Sequence, residues 1–260
     1  MRLDKILKLK LNGIATSYIV KKGYRETMSG TISFFDEQGD RLHTIYTAQT
    51  PEYGKGQFKR RFTNEVEQVK RILDKTNPNC LYTAVADGAK DNWSFFSDTM
   101  PYLAFQTLDY WHATEYLANV SKLMSTSKNS KNSKNSKKEQ SEWFEQARVK
   151  LRTEKNGAKL ILNDMIILAE KYNDQHNQQG NSPDLYHLNR AITYYSNNIH
   201  RMNYETCKTM NLPIGSGVTE AACKVIVKER LCCSGMMWTQ RGAQNVLNIR
   251  CLTHTKGRWK

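Results

Sequence analysis

"CLYTAVADG" (80–88) is the stretch on which the fold turns. Residues 80–86 are almost all apolar, where a half-exposed strand would alternate. An unbroken run of this length, closed by Asp-Gly, predicts a strand buried on both faces, as in a parallel sheet. Ligand sites in open α/β sheets lie at the carboxyl ends of strands. Asp87 stands at that end. Asp-Gly is also ordinary turn chemistry, because Asp organises tight turns, so both readings stay open on this feature alone.

Upstream, segment 3–11 puts Leu7, Leu9 and Leu11 on one face and predicts a first strand. Residues 24–35 and 41–49, joined by the turn "DEQGD" (36–40), predict a hairpin. Phe58, Phe62, Val66, Val69 and Leu73 then recur at helical spacing. Downstream, a short helix is expected over 92–98 and a strand over 103–108, ending at Asp109. From 111 the strand signals stop. "WHATEYLANVSKLM" (111–124) reads as helix, and "STSKNSKNSKNSKK" (125–138) as a disordered low-complexity tract. Helices are expected over 141–152, 158–175 and 184–204, interrupted by "NQQGNSPD" (177–184), and near 218–231 and 239–252.

Three early strands followed by βα alternation predict an α/β, RNase H-like mixed sheet. A helical insertion separates its last strand from the C-terminal helix. The expected divisions are a sheet core at 1–118, the insertion at 119–212 and closing helices at 213–260 that complete the core.

The charge points toward a polyanion. Thirty-nine Lys and Arg against 25 Asp and Glu leave a net +14. About +6 of it sits in 121–138, but the closing segment 224–260 holds eight basic residues and one acid. No apolar run approaches the ~20 residues of a membrane span, and the N-terminus lacks a signal-peptide pattern. Six cysteines without CxxC spacing argue for reduced thiols in a cytoplasmic protein rather than a zinc or disulfide framework.

Four acids have positions worth weighing. Asp87 ends the buried run. Asp109 ends the next strand, with His112 three residues on; an N-cap explains the Asp locally. Asp4 lies on the first strand, opposite its leucine face. Glu220 sits in the first turn of a helix opening at "PIGSGVTEAACK" (213–224), where the helix dipole favours a carboxylate. Gly215 and Gly217 permit a sharp turn and a close approach there. Individually each is weak. Together, two acids on adjacent central strands and one from a packed helix suit a pair of Mg²⁺ ions, which take hard oxygen ligands and serve phosphodiester chemistry.

Five ordered blocks carry a resemblance: "GYRETMSGTISFFDEQGDRLHTIY" (23–46), "VADGAKDNWSFF" (85–96), "LDYWHATEYL" (108–117), "HRMNYETCKTMNLPIGSGVTEAACK" (200–224) and "ERLCCSGMMWTQRGAQNVLNIRCL" (229–252). They resemble successive segments of the Kra-type group of prokaryotic insertion-sequence DDE transposases. The resemblance implies two Mg²⁺ ions, with Mn²⁺ as the alternative, held by Asp4, Asp87 and Glu220. It implies an accessory role for Asp109 and His112. DNA at transposon ends and targets is the implied partner, contacted by Lys224, Lys228, Arg230, Trp238 and Arg241. It further implies a homo-oligomer when active, no membrane partner and a nucleoid-associated cytoplasmic location. Three departures stand out. Lys5 replaces a glycine beside Asp4, and Met237 stands where the family has arginine. The family's end-binding region does not precede Asp4, which suggests a catalytic piece or a decayed copy. The expected function is metal-dependent DNA cleavage and strand transfer. The alternatives are an inactive remnant that binds DNA or dimerises, and a nuclease acting on RNA–DNA hybrids.

Overall fold

The computed structural model describes residues 6–20, 23–125, 133–175 and 183–258. Asp4 and Lys5 therefore lie outside the described residues. The chain divides into two compact units. The first joins Met1–Gln106 to Asn211–Lys260, and the second is Thr107–Met210.

The first unit is built on a mixed sheet. Strands β1 (Ile6–Val20), β2 (Gly23–Phe35) and β3 (Arg41–Gln49) form an antiparallel meander. Helix α1 (Lys55–Thr76) then returns the chain so that β4 (Tyr82–Ala86) pairs parallel to β1. A parallel pair needs such a crossover. After α2 (Lys90–Thr99), β5 (Phe105–Leu108) takes the outer edge, giving the order β3-β2-β1-β4-β5 among the described residues. Every residue of β4 is buried, Thr83 included, as its nearly all-apolar run predicts. Phe58, Phe62, Val66 and Leu73 of α1 are buried on one face of that helix. The Tyr82 hydroxyl donates to Asp74 at 2.8 Å and ties the end of α1 to β4. The Lys70 ammonium, hydrogen-bonded to it, and then the Tyr82 bond hold the exposed Asp74 carboxyl below its usual range. Burial, then Asp74, pushes the Tyr82 hydroxyl up.

The second unit is helical. It contains α3 (Tyr110–Ser121), α4 (Ser133–Thr153), α5 (Gly157–Gln175), α6 (Pro183–Asn198) and α7 (Tyr204–Thr209). Tyr195, fully buried, donates to the Ala113 carbonyl at 3.1 Å and joins α6 to α3. Tyr110 donates to the Arg148 carbonyl at 2.9 Å and joins α3 to α4. Gly157 opens α5 at a turn so tight that a Cβ would stand 2.3 Å from the Lys150 carbonyl oxygen.

The chain then returns to the first unit. Helix α8 (Gly217–Ala222) runs through a π-helical turn (Cys223–Lys228) into α9 (Glu229–Leu231), and α10 (Gln240–His254) follows. Ile226, Val227, Leu231, Leu247 and Cys251 from these helices pack with Ala48 of β3. All six cysteines are free thiols. Burial pushes the Cys251 thiol up to about 12.

Two features differ from expectation. Strand β1 extends to Val20, nine residues beyond the predicted end at 11, with a register shift between Asn12 and Thr16. The end of the tract expected to be disordered, residues 133–138, is the beginning of α4, while 126–132 lie outside the described residues. Lysine is a good helix former, and the helix-forming sequence of 139–153 continues it. The chain passes from the first unit to the second within β5, between 106 and 107. The physical reason is that α3 packs with α4 and α6, through the tyrosine bonds above. Among the described residues no helix is long and apolar enough to cross a membrane.

Candidate metal centre and nucleic-acid face

Asp87 follows the last residue of β4 and is half-buried. Its Oδ1 accepts from the Ala89 N–H at 3.1 Å and from Asn92 Nδ2 at 3.0 Å. Turn chemistry therefore occupies one carboxylate oxygen and fixes the group's orientation. No hydrogen bond to Oδ2 occurs among the described residues.

Glu220 is exposed, in the first turn of α8. An ordinary helix start would use the Ser216 oxygen to accept a backbone N–H. Ser216, fully buried, makes no such cap. Its hydroxyl instead donates to Glu220 Oε1. The helix mouth is clamped to the sheet by two buried side-chain pairs. Thr219 and Thr31 hydroxyls meet at 2.6 Å, and Cys223 Sγ and Ser29 Oγ at 2.9 Å. Positions 219 and 223 share one helix face, and 29 and 31 share one strand face. Gly217 has open space where a Cβ would stand. The close approach expected of that glycine is made by Ser216 and Thr219 instead.

The register relates the two acids. Thr31 pairs with Lys10, and Leu9 pairs with Ala84, so Lys10 is level with Val85, two residues before Asp87. Helix α8 stands on β2, while Asp87 ends β4, two strand spacings or roughly 10 Å across the sheet. Each carboxylate has one oxygen held by the protein. Hard anionic oxygens in this state suit Mg²⁺, which binds through few carboxylates and retains water.

In the second unit, Asp109 is the N-cap of α3 and fully buried. Its Oδ1 accepts from the Trp111 and His112 N–H groups at 2.7 and 3.2 Å. His112 is half-buried, with Nδ1 3.7 Å from the same oxygen. The Asp109–His112 pair is thus assembled by the helix start itself.

Lys224, Lys228, Arg230 and Arg241 are exposed. Trp238 is half-buried, its ring packed against the apolar cluster of the closing helices. Its indole N–H has no hydrogen-bond partner among the described residues. Two other cations of this segment are engaged internally. Arg250 Nε donates to the Val225 carbonyl of the π-helical turn at 2.9 Å, and Arg258 pairs with Glu65 at 3.0 Å. Ser216, Thr219 and Thr31 carry no signal in the sequence that marks them as the supports of Glu220. The small-residue pattern around Glu220 is the only hint.

No protein-family model matches this chain, and no curated protein matches it significantly.

Proposed function

We propose that this protein is the catalytic region of a DDE-type DNA strand transferase on an RNase H-like core. The observation that carries the reading is Asp87 at the end of buried β4 and Glu220 at the mouth of a helix clamped to β2 of the same unit, each carboxylate steadied through one oxygen. Strand order, an antiparallel meander and a β4 parallel to β1 support the fold assignment. The ordered sequence blocks supply the class of reaction.

In this reading Asp87 and Glu220 hold Mg²⁺, with Asp4 as the third ligand the resemblance implies. When bound, the ions supply activation of the attacking oxygen and stabilisation of the leaving oxygen. Asn92 and the Ala89 N–H orient Asp87, and Ser216 orients Glu220. Lys224, Lys228, Arg230 and Arg241 hold phosphates and fix the DNA register without reading bases. Water attacks at the element end, and the freed 3′-hydroxyl then attacks target DNA. Asp109 and His112 act as the accessory pair.

The test is nicking of a supercoiled plasmid that carries the protein's own flanking DNA. The wild type is expected to nick only with Mg²⁺ or Mn²⁺, and Glu220→Gln to lose that activity. Equal nicking by both proteins removes Glu220 from the site. DNA binding without cleavage at any metal concentration establishes the inactive relative instead. Exposed Met237, where the resemblance expects arginine, favours that second reading.

A further inference from the structure

A concave polar pocket lies on the first unit, between β3 and the end of α10. It is lined by Arg41, His43, Thr44, Tyr46, His254 and Lys256, with Leu42 at its rim. The packing explains why these groups converge. The Tyr46 N–H donates to Thr255 Oγ1 at 3.1 Å. Thr255 is the C-cap of α10, so its neighbours His254 and Lys256 are carried over the β3 edge. Further along the same two elements, the Thr50 N–H donates to Gln244 Oε1 at 2.9 Å and holds the helix in place. The pocket walls are therefore fixed by backbone-anchored bonds rather than by long side chains.

Its charge is unbalanced. Among the described residues no Asp or Glu lines it. The nearest acids in sequence, Asp36, Glu37 and Asp40, belong to the β2–β3 turn, where Asp36 accepts the Asp40 N–H. Among the described residues, Arg41, His254 and Lys256 make no side-chain hydrogen bond or ion pair, and His43 makes only a ring contact with Phe34. Burial, then the Lys256 ammonium, lowers the pKa of His43 below its ordinary value. His43 thus feels a cation that no anion offsets. The α10 dipole accounts for cations at its own C-terminus. It does not account for Arg41 and His43, which come from a different element.

We propose that this pocket is a binding site for a phosphate group. Arg41 offers a planar fork of donors suited to phosphate oxygens. Lys256 adds a point charge, and the imidazoles of His43 and His254 add directed donors. The site is separate from Asp87 and Glu220 and does not depend on their catalytic role. The phosphate comes either from a nucleic-acid backbone or from a free phosphate or phosphomonoester.

The experiment follows the imidazole signals of His43 and His254 by NMR in the full chain, during titration with inorganic phosphate at constant ionic strength set with chloride. Saturable shifts are expected, with a rise in the His43 titration midpoint. Arg41→Ala/Lys256→Ala is expected to weaken phosphate binding at least tenfold. Both residues are exposed, so the fold should tolerate the change, checked by an unaltered melting curve. A second arm measures duplex DNA affinity against salt. If backbone phosphate is the ligand, the double variant lowers the slope of log K against log salt by about 1, since each phosphate contact contributes ~0.9. An unchanged slope alongside saturable phosphate binding assigns the pocket to free phosphate. Signals that phosphate leaves unmoved, or that move equally in the double variant, overturn the proposal.

Discussion

The mouths of α8 and α3 each carry an acid, and the two acids are employed differently. At α3, Asp109 is buried and its carboxylate accepts two backbone N–H groups of the first turn. This is capping, and it satisfies donors that the helix start leaves open. At α8, Glu220 is exposed and its carboxylate accepts from the Ser216 hydroxyl, not from the backbone. Ser216 is the N-cap residue, yet its hydroxyl serves the acid instead of the helix. A carboxylate near a helix N-terminus is favoured by the dipole in both cases. The two acids differ in burial and in the group that holds them, backbone N–H at Asp109 and a side-chain hydroxyl at Glu220.

That contrast can be broken most strongly through activity. Glu220→Gln keeps the size and the hydrogen-bonding reach of the side chain but removes the charge. It is expected to reduce metal-dependent nicking by more than about 100-fold, beyond the 10–100-fold loss that follows removal of a ligand's supporting partner. Ser216→Ala should lie within that 10–100-fold range, because only the orientation of Glu220 is lost. Plasmid nicking under saturating Mg²⁺ reads both. A Ser216→Ala protein with full activity would reduce Ser216 to a packing residue.

Next come the supports of the helix mouth. Thr219→Val leaves the Thr31 hydroxyl buried without its partner and is expected to destabilise the protein by about 1–3 kcal/mol. Denaturant unfolding measures it. Thiol alkylation gives a local readout of the same change. In the native wild type, Cys232 and Cys233 are exposed and should react, while buried Cys223, bonded to Ser29, should not. Cys223 should become reactive in Thr219→Val before global unfolding. If it stays protected, the Thr219–Thr31 contact is not what holds the mouth to the sheet.

The smaller effects belong to α3. Asp109→Ala should cost about 0.5–2 kcal/mol, whereas Asp109→Asn, an equally good cap, should cost close to nothing. The conservative variant therefore separates capping from chemistry. Full stability with a loss of nicking would show that Asp109 also acts in the reaction. Full stability with full nicking would leave it a cap.

The sheet was largely legible because its signals are local. The unbroken run before Asp87 announced a strand buried throughout, and β4 is buried at every residue. The stripe from Phe58 to Leu73 announced α1. The second half of β1 escaped because "NGIATSYIV" (12–20) has no sustained alternation of apolar and polar residues. The start of α4 escaped because a Ser/Lys/Asn repeat carries no apolar face. Asp109 as an N-cap was readable from its place between a strand and a helix. The supports of Glu220 were not, since Thr31 and Thr219 lie 188 positions apart and meet only through the sheet register. The sequence also places Glu220 in a first turn without saying which way a serine four residues earlier will point.

The central claim is that Asp87 and Glu220 serve one metal centre. Calorimetric titration of Mn²⁺ into the full chain, compared with Asp87→Asn and Glu220→Gln, tests it directly. The prediction is saturable binding by the wild type and a loss of affinity exceeding about 100-fold in each variant, with melting curves unchanged. Binding that survives either substitution intact would contradict it.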